Sequence, residues 1–348
     1  MKILVRAANW IGDQILSYPF FFHLRRAYPQ ARITAVATSW VSELQFRNLV
    51  DEVYIEERGA AQPFWKRWLA LERAAQDLRR QGPWQIGFAL PPSFAAAWLL
   101  WRAGAARRIG YATDGRGFLL NDRRNAALDS SIHRAEAYLD LLPQNRRLSR
   151  DPGEFRPAPA FDSKSAWPGV APLEPPGGPY WVMAPSSMAE SRRWPVEFFI
   201  ELARLIKTET GYSGIVVGGA SDKALTERLC RESGLDLTDW TGRGPASALW
   251  RLFQEARFTV SNDSGLAHMA AICGSPLEVI WGAGDSTLTR PMGPAKIQIA
   301  DNPVECWPCR KNTCFQSPAK HLQCLKGIDP RRVWQEIRQG LLANEISA

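Results

Sequence analysis

What most constrains this chain is an alternation, met twice, of short apolar β-type runs with longer amphipathic stretches. In the first half, runs at 2–7, 32–38, 52–55, 84–90 and 108–111 read as strands, while 9–28, 64–80 and 132–142 carry helical periodicity. Strands separated by helices do not pair as hairpins, so this order predicts a parallel sheet covered on both faces. Between residues 151 and 180 lie eight of the 25 prolines. Proline has no N–H for a ladder and resists both helix and sheet, so this stretch reads as a linker. The alternation then restarts, with strands at 180–184, 214–218, 258–262 and 277–282 and helices at 195–208, 222–233, 246–256 and 265–273. At 348 residues the chain exceeds the size at which one core stops growing. The expected architecture is therefore α/β, two doubly wound Rossmann-like domains facing a central cleft. An N-terminal domain spans 1–155, a Pro-rich linker 156–179 and a C-terminal domain 180–328. The remaining 329–348 carry a helix at about 330–343, expected to pack back on the N-terminal domain.

Composition removes several classes. Hydrophobic residues make up 45% and charged residues 22%, which is globular rather than disordered or fibrous. The apolar start is too short for a signal-peptide core. The longest stretch free of charge and proline, 93–101, is about half the ~20 residues a membrane-spanning helix needs. A cytoplasmic protein with peripheral membrane contact is expected, its six cysteines reduced. The formal charge of +8 suits an anionic partner, whether nucleic acid, phosphorylated lipid or nucleotide diphosphate.

Ligands of open α/β sheets bind at the carboxyl ends of strands, and the informative residues cluster there. The run Val260-Ser261-Asn262 ends in Asp263-Ser264-Gly265, after which a helix of small apolar residues begins with Leu266 and His268 in its first turn. Asp263 or Ser264 suits an N-cap. With no side chain at Gly265, the first free N–H groups can approach a diphosphate, whose charge the helix dipole favours. Plain capping, with His268 packed in the core, is the alternative. A second strand end carries Ser186 and Ser187, followed by Arg192-Arg193-Trp194-Pro195, hydroxyls and guanidiniums that suit phosphate oxygens. After a third strand, Asp222 follows a Gly-Gly turn and could accept from ribose hydroxyls. In the first half Asp13 stands near the start of a long helix. Sugar transfer with inversion needs a base for the acceptor hydroxyl, and an aspartate in reach fits; complementing the helix dipole is the alternative.

Between Arg102 and Arg124 six arginines, among them Arg107, Arg108 and Arg116, face two aspartates, which reads as a flexible basic loop for an acidic acceptor. Flanking Trp98, Trp101, Tyr111 and Phe118 leave RNA binding open on composition. Cys306, Cys309, Cys314 and Cys324, with His321 nearby, read either as a small structural zinc site or as disulfides or free thiols.

With these residues in view the chain resembles the ADP-heptose–lipopolysaccharide heptosyltransferase family, of GT-B fold. The carriers are Lys2-Ile3-Leu4-Val5 with Trp10-Ile11-Gly12-Asp13, Arg108-Ile109-Gly110-Tyr111, Arg192-Arg193-Trp194-Pro195, and Ser261-Asn262-Asp263-Ser264-Gly265-Leu266-Ala267-His268. Leu90-Pro91-Pro92-Ser93-Phe94 and the stretch from Gly117 to Asp122 look most like the branch that adds the second heptose. The resemblance implies Asp13 as general base. It places Ser186, Ser187 and Arg192 around the donor phosphates, Asp222 near the ribose, and Asp263, Ser264 and Gly265 on heptose and diphosphate. Arg107, Arg108 and Arg116 would then meet the phosphorylated acceptor, the heptosylated Kdo–lipid A inner core. No cofactor for catalysis is implied, and no Asp-x-Asp motif is present. Where many relatives carry Lys before Arg-Trp-Pro, this chain has Arg192, a planar fork in place of a point charge.

Within the family, addition of the first or third heptose or of a different sugar is the alternative, and two other classes compete. A dinucleotide oxidoreductase lacks its fingerprint, since no Gly-x-Gly-x-x-Gly follows any strand. A basic RNA-binding protein predicts affinity that falls steeply with salt, although no nucleic-acid partner is expected on the family resemblance.

Overall fold

In the computed structural model, residues 1–57, 63–125, 130–143 and 161–340 are described, and the first alternation becomes a six-stranded parallel sheet. Its elements are β1 (Lys2–Arg6), α1 (Ile11–Leu16), α2 (Tyr18–Ala27), β2 (Arg32–Thr38), β3 (Glu52–Glu56), α3 (Phe64–Gln81), β4 (Ile86–Ala89), α4 (Phe94–Arg102), β5 (Arg107–Tyr111), β6 (Asp122–Arg124) and α5 (Arg134–Asp140). Strand order is β3-β2-β1-β4-β5-β6. Ile3, Leu4 and Val5 are fully buried, as a central strand covered on both faces requires. The single helix expected over 9–28 is two. Pro19 has no N–H to continue the ladder, and Ser17 turns its hydroxyl back onto the Gln14 carbonyl at 2.6 Å.

A helical turn, α6 (Ser163–Ala166), ends this part, and the chain divides into two compact units between Gly169 and Val170. Phe161 packs edge-on against Tyr18 and Trp167, both ring centroids at 5.0 Å, so the described end of the proline-rich stretch belongs to the first core. The earlier part of that stretch, 151–160, lies outside the described residues.

The second unit repeats the scheme with β7 (Tyr180–Ala184), α7 (Val196–Thr210), β8 (Ser213–Val216), α8 (Lys223–Ser233), β9 (Leu237–Asp239), α9 (Trp250–Glu255), β10 (Thr259–Asn262), α10 (Gly265–Ile272), β11 (Leu277–Trp281), α11 (Ser286–Thr289), β12 (Ile297–Asp301), α12 (Gln323–Lys326) and α13 (Pro330–Gly340). Its order, β12-β11-β10-β7-β8-β9, is the same winding as in the first unit, with β7 and β10 in the places of β1 and β4. α7 shows how such a helix is specified. Phe199, Leu202, Ala203 and Ile206 recur on one face and are buried, each large side chain contributing about 1.5–3 kcal/mol. It stops at Gly211, whose φ of 70° suits a residue without Cβ. α13 places Val333, Trp334 and Ile337 in the core of this same second unit, and Arg338 reaches Glu209 of α7 at 2.9 Å. No helix among the described residues is long and apolar enough to cross a membrane.

Candidate active site

In this winding the connections from the two central strands leave toward opposite faces of the sheet, so a crevice opens beyond their carboxyl ends. In the first unit those strands are β1 and β4. β1 ends in Arg6, a fully buried guanidinium paired with Glu56 at 3.0 Å and donating to the Val36 and Ala7 carbonyls. Its second nitrogen holds Asn9 Oδ1 at 2.7 Å, and the Trp40 indole N–H donates to the Asn9 carbonyl at 2.6 Å. The loop from β1 is thus fixed from both sides, and it delivers Asp13 in the first turn of α1. The Asp13 side chain is one-third exposed, with Arg134 at the start of α5 4.0 Å away.

The arginines expected to meet an acceptor are placed differently from one another. Arg116 is fully buried and donates to the carbonyls of Tyr111, Pro91 and Ser93 at 2.8, 2.5 and 2.9 Å. The expectation that it faces an acceptor is therefore corrected: burial and three backbone acceptors make it a brace of the loop after β4. Arg108 is largely spent the same way, on Leu119 and Ala105 carbonyls at 2.7 and 2.8 Å. Arg107 is 41% exposed and pairs with Asp122 at 2.5 Å, leaving it the most presentable of the three. The expected flexible basic loop is largely ordered structure, strands β5 and β6 with these braces between them.

In the second unit the residues expected to hold a donor converge on the ends of β7 and β10. Ser186 Oγ donates to Asp222 Oδ2 at 2.8 Å, and the same oxygen accepts from the Gly219 N–H at 2.8 Å, joining the ends of β7 and β8. Ser187 Oγ donates to the Asp263 carbonyl at 3.0 Å. Asn262, fully buried, donates to the Pro185 carbonyl at 2.6 Å and accepts from the Trp194 N–H at 3.1 Å. These bonds hold the Arg192 segment beside the end of β10. Arg192 Nη1 lies 3.3 Å from Asp263 Oδ2, whose carboxylate is only 3% exposed. Burial pushes the Asp263 carboxyl up to about 6, with the Arg192 guanidinium pulling the other way.

Just beyond, α10 opens with Gly265. Its N-cap is Ser264, whose side chain makes no capping bond. The free N–H groups and dipole of this helix start, with Arg192 alongside, form a cradle for a diphosphate. Leu266 stands at the rim, and His268 is buried one turn inside.

Two contributors escaped the sequence reading. Gly284, after β11, approaches so closely that a Cβ there would sit 2.7 Å from Asp263 Oδ2 and 3.1 Å from Trp281 Nε1. The Gly-Ala-Gly run ending β11 was its only signal. The second is the cysteine loop. The Ser191 N–H donates to the Asn312 carbonyl at 3.1 Å, and Glu190 receives the Cys314 N–H at 3.4 Å and meets His321 Nε2 at 3.1 Å. The loop therefore props the turn that carries Arg192. Its four cysteines are free thiols. Among the described residues no group of three or more His, Cys, Asp or Glu is spaced to hold a metal, so the expected structural zinc finds no support.

Residues 71–320 match the family described as Glycosyltransferase family 9 (heptosyltransferase). The lipopolysaccharide heptosyltransferase 2 of Escherichia coli K12 is 27% identical over 368 residues, covering 99% of this chain and all of that one. Among solved structures, an E. coli ADP-heptose lipopolysaccharide heptosyltransferase II superposes with a TM-score of 0.76 at 24% identity, over 99% of this chain and all of that one. A family 9 glycosyltransferase from Veillonella parvula does so with 0.76 at 18% identity, over 98% and 97%.

Proposed function

Because the chain belongs to glycosyltransferase family 9, the heptosyltransferases, we propose that it transfers heptose from ADP-heptose to the heptosylated Kdo–lipid A inner core of lipopolysaccharide, adding the second heptose. The observation that carries this reading is the uncapped start of α10 beside the Arg192–Asp263 pair. Such a site offers dipole, N–H groups and a guanidinium to a diphosphate that becomes a leaving group. Ser186, Ser187 and Asp222 lie at the neighbouring strand ends, where ribose and phosphates would be held. The relatives named for addition at the second position support that choice of acceptor.

Asp13 acts as the base in this reading. Inversion requires the acceptor hydroxyl to lose its proton as its oxygen bonds to the anomeric carbon, while ADP leaves with the bonding pair. A carboxylate on a fixed loop, one-third open to solvent, suits that transfer. Arg192 offsets the charge that accumulates on the departing diphosphate, so no metal need do so. In this reading the enzyme acts on a lipid-borne acceptor as a peripheral protein at the inner face of the membrane.

Asp13→Asn tests the base directly. The variant should bind ADP with unchanged affinity by calorimetry and lose about a hundred- to ten-thousandfold in turnover, as removal of a general base does. An Asp13→Asn enzyme of normal activity would refute the assignment. Transfer onto an acceptor without any heptose would move the reaction to the first core position.

A further inference from the structure

We infer that the first unit carries a lipid-docking face, made by the start of α3 with α4 and directed at a bilayer surface of anionic headgroups. This rests on the reading of a membrane-borne acceptor and adds where the protein meets the membrane. α3 satisfies its packing with Leu71, Ala74, Ala75 and Leu78, which are buried. Its first turn and a half nevertheless carries Phe64, Trp65, Trp68 and Leu69. Phe64, Trp65 and Leu69 are 77%, 62% and 44% exposed. A helix that has already buried its apolar stripe normally shows polar residues elsewhere.

The aromatic surface continues onto α4 and the turn after β5 that carries Phe118. Trp68 stacks on Phe64 at 6.2 Å and on Phe94 at 6.4 Å; Phe94 meets Phe118 at 6.1 Å, and Trp98 meets Trp101 at 5.0 Å. Trp101 and Phe118 are themselves 43% and 70% exposed, so the patch is continuous and open rather than a set of scattered residues.

Charge identifies its occupant. Lys66, Arg67 and Arg73 are exposed on the same helix, and the Lys66 ammonium lies 5.2 Å from the Trp65 ring. Nearby acids are hydrogen-bonded to the protein's own groups. Glu72 accepts from Arg102 Nε at 3.0 Å, Asp77 from the Tyr54 hydroxyl at 2.9 Å, and Asp114 from the Phe94 N–H at 2.7 Å. Tryptophans with cations around them suit the headgroup layer, where the rings enter the acyl boundary and the cations meet lipid phosphates. Apolar insertion and a basic rim supply together the two signals stable anchoring needs.

The test is flotation of the full chain with vesicles of phosphatidylethanolamine and phosphatidylglycerol, against vesicles of phosphatidylcholine alone. The protein should float with the anionic vesicles, and brominated lipid should quench its tryptophan fluorescence. Trp65→Ser with Phe118→Ser should weaken binding about tenfold or more, and Lys66→Gln with Arg67→Gln roughly fivefold per charge. Neither pair should alter thermal stability or turnover on a delipidated acceptor. Wild-type protein that fails to float, or a double ring variant that floats as before, would overturn the docking face. Rings whose loss instead disperses a dimer in sedimentation, or abolishes binding of single-stranded RNA, would overturn it in favour of those partners. The heptose-transfer reading fails separately, if wild-type enzyme is inert on the delipidated acceptor.

Discussion

Asp263 is a carboxylic acid kept in an environment that prefers it neutral, and replacing it with asparagine exposes what that costs. Burial lifts its carboxyl from 3.8 to about 6 even with Arg192 at 3.3 Å. The folded state therefore binds the proton more tightly than the unfolded chain. Stability from this group is fully present below pH 3.8 and is lost as pH rises through 6. Comparing the two titrations at pH 4.5 and at pH 7.5 gives a loss of about 2 kcal/mol between them. Asp263→Asn keeps the shape and removes the proton equilibrium, so its pH dependence should lack that component while every other group cancels in the comparison. Urea unfolding of both proteins at the two pH values measures it: the variant should gain about 2 kcal/mol on wild type between pH 4.5 and 7.5. Identical pH slopes would mean that Arg192 holds the carboxylate ionised throughout, and the description of this pair would be wrong.

Two further substitutions probe the supports of the site. Arg6→Met strands the buried Glu56 carboxylate and should cost about 3–5 kcal/mol in urea unfolding, much of it restored when Glu56→Met is added. Gly284→Ala puts a methyl 2.7 Å from Asp263 Oδ2 and should cost about 1–3 kcal/mol and weaken ADP binding in calorimetry. Gly177→Ala, with nothing within 4 Å, is its silent control.

The sequence revealed what depends on local pattern. The apolar run closing in Asn-Asp-Ser-Gly marked β10 and the start of α10, because strand period, turn residues and small-residue helix follow one another without interruption. β6 was invisible: Asp122-Arg123-Arg124 looks like surface, and becomes a strand because Asp122 is clamped between Arg107 and Arg124, both at 2.5 Å. Arg116 misled for a related reason. A count of charges cannot tell whether a guanidinium points to solvent or closes on backbone carbonyls of a loop 25 residues earlier. β9 and β12, at the sheet's two edges, were also missed, since short edge strands carry weak alternation. Contacts such as Ser191 with Asn312 belong to tertiary structure alone.

The division between Gly169 and Val170 also has a meaning in time. Each sheet takes all its strands from its own stretch of sequence, so no strand of the first awaits one from the second. At about 5–20 residues per second, a ribosome takes on the order of 10–35 s to make the second stretch after the first has emerged. That interval far exceeds the milliseconds to seconds a domain of this kind needs to fold. The half bearing Asp13 is thus able to be finished, with its aromatic face exposed, while the half that cradles the diphosphate is still being translated.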